Sequence, residues 1–460
     1  MNMHGQKINN FSKKDSPSSS FHSSDFIRLA KDNILEDKEV EEVKILTYNL
    51  FMRPPFVKNN EDDYKNERCK LIIQNEIQKF DIICFQELFR LFSNRRHKMV
   101  YSAIKKGFLY HVSSPQPNFF KSYFVDAGLT ILSKYPIVES CFRPFRYGIL
   151  ADGLCQKGVL YAKIRVNERH IHVLNTHTQA SYNTNEKEIV LIQKKILLVK
   201  LCQIGIVPQN FINNYSILAY SNFIVFNKKQ TVIARLDQFV EMRKILEDCL
   251  KQYGFERGDI CIFAGDFNVD SNHPIHPIKF LDKQQDLKEI LGISDTQQHF
   301  DEYKGLIDIL SSKGKDIIQD VGRSSNSGNP PITFADVYQD QNGEIQPLET
   351  ALTHQGDLKS LQSLDYIMHI MPNGLLADCQ NKLSFSNNQQ SSKYLNQTLK
   401  GGYSYQLSSN KSIQNSSKKL SDKNFVVDFS RSKVEKFFLQ GQKFTQLSDH
   451  YGVSCVLKYK

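Results

Sequence analysis

The chain has 460 residues, 40% hydrophobic and 23% charged, with a formal net charge of +10. This is the composition of a globular protein, and its basic surface favours anionic partners (phosphate esters, nucleic acid, an acidic membrane face) without choosing among them. The nine cysteines lack CxxC or histidine-spaced patterns, which argues against structural zinc and, with Cys84, Cys261 and Cys455 inside apolar runs, for reduced core thiols.

Residues 1–40 read as a disordered tail with no apolar secretory segment. Val43–Leu50 is apolar and β-branched and reads as a buried strand, with Asn49 at its mouth. Residues 64–79 place Arg68, Leu71, Ile72, Asn75 and Ile77 at mostly helical spacing. Asp81–Glu87 is a second buried strand ending in a carboxylate. Further strands are expected at 128–133, 158–164, 170–177, 259–266, 363–370 and 451–457, and a helix at about 234–253. Two stretches break the rhythm. Residues 200–233 are Ile-, Asn- and Phe-rich without clear period and read equally as an insert or an ordered subdomain. Residues 382–423 are rich in Ser, Asn, Gln and Lys and read as an insertion loop. The most apolar window, Ile189–Val207, carries Lys194, Lys195 and Lys200, which oppose insertion into a bilayer. A cytoplasmic protein, soluble or peripheral to a membrane, is expected.

The expected strands deliver polar residues at their ends: Asn49, Glu87, His177, Asp266, Asn268, Asp365 and His450. Each has a plain alternative. Asn49 could cap a turn, His177 could be a satisfied buried histidine, and Asp266-Phe267-Asn268 could be an Asx-turn. A sheet presenting those ends to one rim would instead gather them in one cleft. Together they suit phosphodiester hydrolysis. Glu87, Asn49 and Asp266 are hard oxygen ligands for Mg²⁺, and the histidines can move a proton or hold a phosphoryl oxygen.

The segments Thr47-Tyr48-Asn49, Gln86-Glu87, Asn175-Thr176-His177, Gly265-Asp266-Phe267-Asn268, Leu364-Asp365-Tyr366 and Ser448-Asp449-His450 resemble the endonuclease/exonuclease/phosphatase superfamily. The resemblance runs from about Val43 to the C-terminus, the two inserts excepted. It implies an α/β fold, a four-layered DNase I-like sandwich of two packed mixed β-sheets flanked by helices, formed by one domain over 41–460. It further implies Glu87 as principal metal ligand with Asn49 beside it and Asp449 supporting, and Mg²⁺, or Mn²⁺, as cofactor. His450 would be the general base oriented by Asp365, Asp266 and Asn268 would bind water and phosphate, and His177 would donate to a phosphate oxygen.

Within that superfamily the chain is most similar to neutral sphingomyelinases, through Asp152–Ile164, Thr176–Ala180, Ser133–Ile137 and Gln86–Phe89. The resemblance implies hydrolysis of sphingomyelin, a phospholipid at a membrane surface, to ceramide and phosphocholine, with no obligate protein partner. Lys157 and Gly158 are read as a contact to an anionic head group, or else as a hairpin turn with a solvent lysine. Nucleic acid or another phospholipid is the alternative substrate, and a non-catalytic lipid-binding relative the second alternative. Secreted bacterial members reach the bilayer with an aromatic hairpin, and the Ser/Asn/Gln-rich loop occupies the matching stretch before Asp449. The membrane-spanning segments of eukaryotic members have no counterpart here.

Overall fold

The computed structural model describes residues 39–460 except 56, 118–122, 182–227, 280–284, 294–296 and 375–422. The tail to residue 38, the expected insert up to 227 and the polar loop up to 422 lie outside the described residues.

The elements in chain order are β1 (Glu42–Met52), α1 (Lys65–Asn75), β2 (Ile82–Leu88), α2 (Arg95–Ile104), β3 (Tyr110–Ser113), β4 (Thr130–Ser133), β5 (Ile137–Pro144), β6 (Gly158–Val166), β7 (Arg169–His177), α3 (Lys228–Tyr253), β8 (Ile260–Asp266), β9 (Ile275–Lys279), β10 (Gln297–Asp301), β11 (Ile317–Asp320), β12 (Val337–Gln339), β13 (Ile345–Pro347), β14 (Asp365–Met371), β15 (Phe425–Glu435) and β16 (Gly452–Tyr459), with shorter helices at 285–291, 302–310 and 321–325. Two six-stranded sheets dominate. The first has the order β15-β16-β1-β2-β4-β3, the second β11-β14-β8-β7-β6-β5.

The alternation of side chains along each strand builds the layers. On β1, Val43 and Ile45 face inward, where they join Cys84, Leu160, Ile164, Val173 and Ile262 in a core between the sheets. Leu46, Tyr48 and Leu50 face outward, onto Cys69 and Ile72 of α1 and Met99 and Ala103 of α2. On the far side, Tyr161, Leu174 and Phe263 pack against Phe239, Met242 and Leu246 of α3. The order is therefore helices, sheet, sheet, helices. Central strands buried on both faces need apolar residues at nearly every position, which is why they read as unbroken apolar runs.

A polar cluster crosses the apolar core between the sheets. Gln86 Nε2 donates to Asn175 Oδ1 at 2.7 Å and to Thr47 Oγ1 at 3.0 Å, and Asn175 Nδ2 donates to the carbonyl oxygens of Phe85 and Thr130. Asn175 is satisfied at both ends and Gln86 through its amide nitrogen, so the pair ties the sheets together in register, while Gln86 Oε1 is buried with no partner among the described residues.

The boundary expected at residue 233 falls inside α3. Val232 and Ile233 are buried and belong to its core face, so the helix begins ahead of the expected start. Among the described residues no helix is long and apolar enough to cross a membrane.

Candidate active site

Parallel pairing brings strand ends together. In the first sheet β1 pairs parallel with β2, Asn49 opposite Gln86. In the second, β7 pairs parallel with β8, His177 opposite Asp266, and β14 runs antiparallel with Asp365 also opposite Asp266. Since β16 starts at this same rim, Asp449 and His450, just ahead of it, arrive beside Asn49. The site is thus split. Asn49, Glu87, Asp449 and His450 come from one sheet, and His177, Asp266 and Asp365 from the other.

Asp266 is the hub. Its Oδ2 accepts from Asn49 Nδ2 at 2.9 Å and lies 3.6 Å from His177 Nε2 and 3.8 Å from His450 Nε2. Its Oδ1 accepts from the backbone N–H of Asn268 at 2.9 Å, which is the Asx-turn foreseen as the plain reading. Asn268 completes that turn at φ 51° and donates its amide to the Thr178 carbonyl. Gly265 carries φ 147°, and a Cβ there would sit 2.1 Å from the Thr176 carbonyl oxygen. Only glycine lets β8 run this close to β7 and deliver Asp266 to the rim.

His450 is held from behind. Its Nδ1–H donates to Asp365 Oδ2 at 2.8 Å, and the ring lies against Phe334 with centroids 4.9 Å apart. Nε2 is left facing Asp266. Burial opposes the charged imidazolium, but the Asp365, Asp266 and Asp449 carboxylates outweigh it and hold the ring well above its ordinary range. The same burial pushes Asp266 up to about 6, helped by Asp365, and Asp449 up to about 7, helped by Glu87.

His177 has the opposite character. Burial, then the Lys157 ammonium and His450, hold it well below its ordinary range. The ammonium lies 3.2 Å from Nε2, and an ammonium only donates, so Nε2 accepts and the ring proton sits on Nδ1. That buried Nδ1 has no partner among the described residues.

Lys157 does not present itself to a head group. It is buried and engaged by Asp152 Oδ1 at 2.9 Å and the Thr178 carbonyl at 2.6 Å as well as by His177. Gly158 is likewise explained by packing. A Cβ there would meet the Arg143 carbonyl oxygen of β5 at 2.3 Å. Neither the expected head-group contact nor the solvent lysine describes the pair. Asp152, the partner that sequence reading left without a role, sits in a 3-10 turn at Leu150–Leu154, five residues before the lysine it neutralises.

The stretch ahead of Asp449 also differs from expectation. Phe425 belongs to β15, and the residues leading into Ser448 are Lys436–Leu447. They carry Phe437, half-exposed Phe438 and buried Phe444.

A metal can be tested against these groups. Glu87 is in the left-handed region at φ 54°, unusual for a non-glycine residue. Its Oε1 is 3.4 Å from Asn49 Nδ2, and its Oε2 is buried with no partner among the described residues. Asp266, Asp365 and His450 also bring ligand atoms within 4.8 Å of one another, but Asp365 Oδ2 and His450 Nδ1 are already engaged with each other at 2.8 Å. The orphaned oxygen of Glu87, with Asn49 and the buried Asp449 carboxylate, is the better match for a hard divalent cation, which prefers oxygen over imidazole.

A family model described as the Endonuclease/Exonuclease/phosphatase family matches residues 46–279. A sphingomyelinase of Dictyostelium discoideum is 28% identical over 513 residues, covering 90% of this chain and 98% of that protein. A phospholipase C of Staphylococcus aureus is 29% identical over 154 residues, 31% of this chain and 45% of its own. Among solved structures, a beta toxin of Staphylococcus aureus with bound magnesium ions is 17% identical, covering 90% of this chain and 99% of that one at a TM-score of 0.46.

Proposed function

Because the chain belongs to the endonuclease/exonuclease/phosphatase family, we propose that it is a metal-dependent phosphodiesterase that hydrolyses sphingomyelin to ceramide and phosphocholine. The observation that carries the chemistry is the Asp365–His450 pair aimed at Asp266, beside the unpartnered Glu87 oxygen. The observation that favours the lipid is the alignment of a sphingomyelinase over nearly its whole length.

Glu87, Asn49 and Asp449 would hold Mg²⁺, or Mn²⁺, which when bound supplies positive charge at the phosphoryl oxygens and offsets the carboxylate field. With that field offset, His450 can be neutral and take the proton of an attacking water at Nε2, while Asp365 keeps the ring oriented and stabilises the imidazolium formed. Asp266 and Asn268 lie where they can orient that water. His177, neutral and protonated at its unpartnered Nδ1, can donate to a phosphoryl oxygen. Water oxygen bonds to phosphorus as its proton passes to His450 Nε2, the bond from phosphorus to the ceramide oxygen breaks, and that oxygen takes up a proton from solvent. His450 then gives its proton to solvent, so the protein is unchanged over a cycle. Lys157 and Asp152 sit behind His177 and hold it in this tautomer.

Vesicles of sphingomyelin with added Mg²⁺, compared with lysophospholipid, inositol phosphate and plasmid DNA, test the reading. Phosphocholine release from sphingomyelin should exceed turnover of every other substrate by about tenfold or more. Preferred cleavage of DNA, which the net charge of +10 would favour, would replace the lipid. Binding without turnover would point to a non-catalytic relative.

A further inference from the structure

Asn49, near the end of β1, and Asp449, just ahead of β16, stand at opposite ends of the sequence, and nothing covalent sets the distance between the segments that carry them. A buried arginine bridges those segments. Arg68, on α1 and fully buried, donates through Nη1 to the carbonyl oxygens of Leu50 at 2.8 Å and Leu447 at 2.9 Å. Its Nη2 donates to the Phe51 carbonyl and its Nε to that of Asp63, both at 2.7 Å. Leu50 and Phe51 follow Asn49 directly, and Leu447 precedes Ser448-Asp449. A second tie runs alongside, from Ser448 Oγ to the Asn49 carbonyl at 2.7 Å.

Packing alone does not ask for an arginine here. Ile72, one helical turn further along the same face, meets the same core with an apolar side chain. A buried guanidinium is costly. What it provides in return is a rigid planar fork whose charge-assisted bonds fix several carbonyls at set angles. Three of its four bonds go to the two segments flanking Asn49 and Asp449, the fourth goes to Asp63 just ahead of its own helix, and the carboxylates that face its charge are Asp449 and Asp63.

We infer that Arg68 is a positioning residue for the metal side of the site. It sets the spacing of Asn49 from Asp449, and through that spacing the affinity for a divalent cation. The inference rests on the metal reading above.

The test uses the full chain without substrate. Mg²⁺ and Mn²⁺ are titrated, and the rise in melting temperature is followed, with circular dichroism as the check on folding. Arg68→Met should need about tenfold or more additional ion to reach half its rise. Arg68→Lys, which keeps the charge and some of the donors, should fall between it and the wild type. Arg169→Met is the control, because Arg169 is also buried and also donates to backbone carbonyls, those of Lys423 and Arg257, at the opposite end of its sheet. Its midpoint should stay within about twofold of the wild type.

A folded Arg68→Met with the wild-type midpoint overturns the inference, as does an equal shift in Arg169→Met. Should Arg68→Met not fold, Arg68→Lys and Ser448→Ala decide. Raised midpoints in both support it, and wild-type midpoints in both overturn it. A wild-type protein that gains no stability from either ion overturns the metal reading and this inference together. A wild-type response kept intact in Arg68→Met removes the inference alone.

Discussion

The two ends of β8 carry nearly the same set of groups and treat them in opposite ways. Asp259, just before the strand, faces His170 Nδ1 at 3.5 Å and His172 Nε2 at 3.2 Å. Asp266, at its end, faces His177 Nε2 at 3.6 Å and His450 Nε2 at 3.8 Å. Around Asp259 both carboxylate oxygens are met by donors, although His170 Nδ1, at 3.5 Å, makes no hydrogen bond among the described residues. The backbone N–H groups of His170 and Glu256 reach its two oxygens, and His172 is held in turn by the Tyr161 hydroxyl at 2.8 Å. Burial works against the carboxylate there, but His172 and those backbone donors outweigh it and hold the group below its usual range. Around Asp266 a second carboxylate and burial push the group up, and Glu87 and Asp365 each keep an unpartnered buried oxygen. Residue types do not separate a structural cluster from a functional one. The satisfaction of the carboxylates does, because crowded like charges with free acceptors concentrate where a ligand or a reaction uses them.

The widest gap between the two ends should be in turnover. His450→Ala or Glu87→Gln should lower kcat on sphingomyelin vesicles by about a thousandfold or more, while Asp259→Asn should leave it within about threefold. Initial rates at saturating Mg²⁺ measure both, and normal turnover in His450→Ala would erase the distinction. Stability should show the reverse order. Asp259→Asn removes the charge that three donors share and should cost about 1–3 kcal/mol in urea unfolding.

Asp449→Asn should instead stabilise the metal-free protein, by about 1–2 kcal/mol. The sign follows from its raised position at about 7, above the unfolded value of about 3.9. The carboxyl is no burden below the unfolded value, becomes one as pH rises, and is fully so above 7. The gain from the asparagine should therefore grow from pH 4 to 7 and then level off, and a gain that is flat across that window would contradict it.

The smallest effect belongs to His369 of β14, which burial pushes down to about 4. Its neutral form is the folded one. It therefore makes the protein less stable as pH falls from about 6.5 toward 4. Allowing for its partial exposure, His369→Gln should flatten that acid limb by about 1 kcal/mol, and an unchanged limb in thermal melts at stepped pH would exclude the residue as its source.

Central strands were legible because burial on both faces leaves little choice of residue. β1, β2, β6, β7, β8, β14 and β16 fall within about two residues of their expected bounds. Elements with mixed faces were not. β5 lies at a sheet edge and exposes Glu139 and Arg143. α2 buries Arg95 and Arg96 where a helix face would be expected to be apolar, and the β-branched Thr231, Val232 and Ile233 disguised the first turns of α3. The polar strand ends that gather at the rim could be read one by one, since each closes an apolar run. What Lys157 and Gly158 do could not, because the answer lies in Asp152 folded back by a short turn and in a carbonyl of the neighbouring strand. Arg68 did leave a signal, an arginine on the face of a helix shared with Leu71 and Ile72, but what it joins did not, because its acceptors at Leu50, Phe51 and Leu447 come from segments at opposite ends of the sequence.

The place of β16 in its sheet has a consequence for the timing of synthesis. The last described strand is not added at an edge. It lies between β15 and β1, and it brings in Asp449 and His450. Until Gly452–Tyr459 has left the ribosome, β1 has an unpaired side open to other chains, and the cleft lacks two of its groups. The candidate site therefore cannot assemble until residues 449–459 have been synthesised, and a nascent chain stopped before Asp449 would lack two of its groups and leave a side of β1 unpaired.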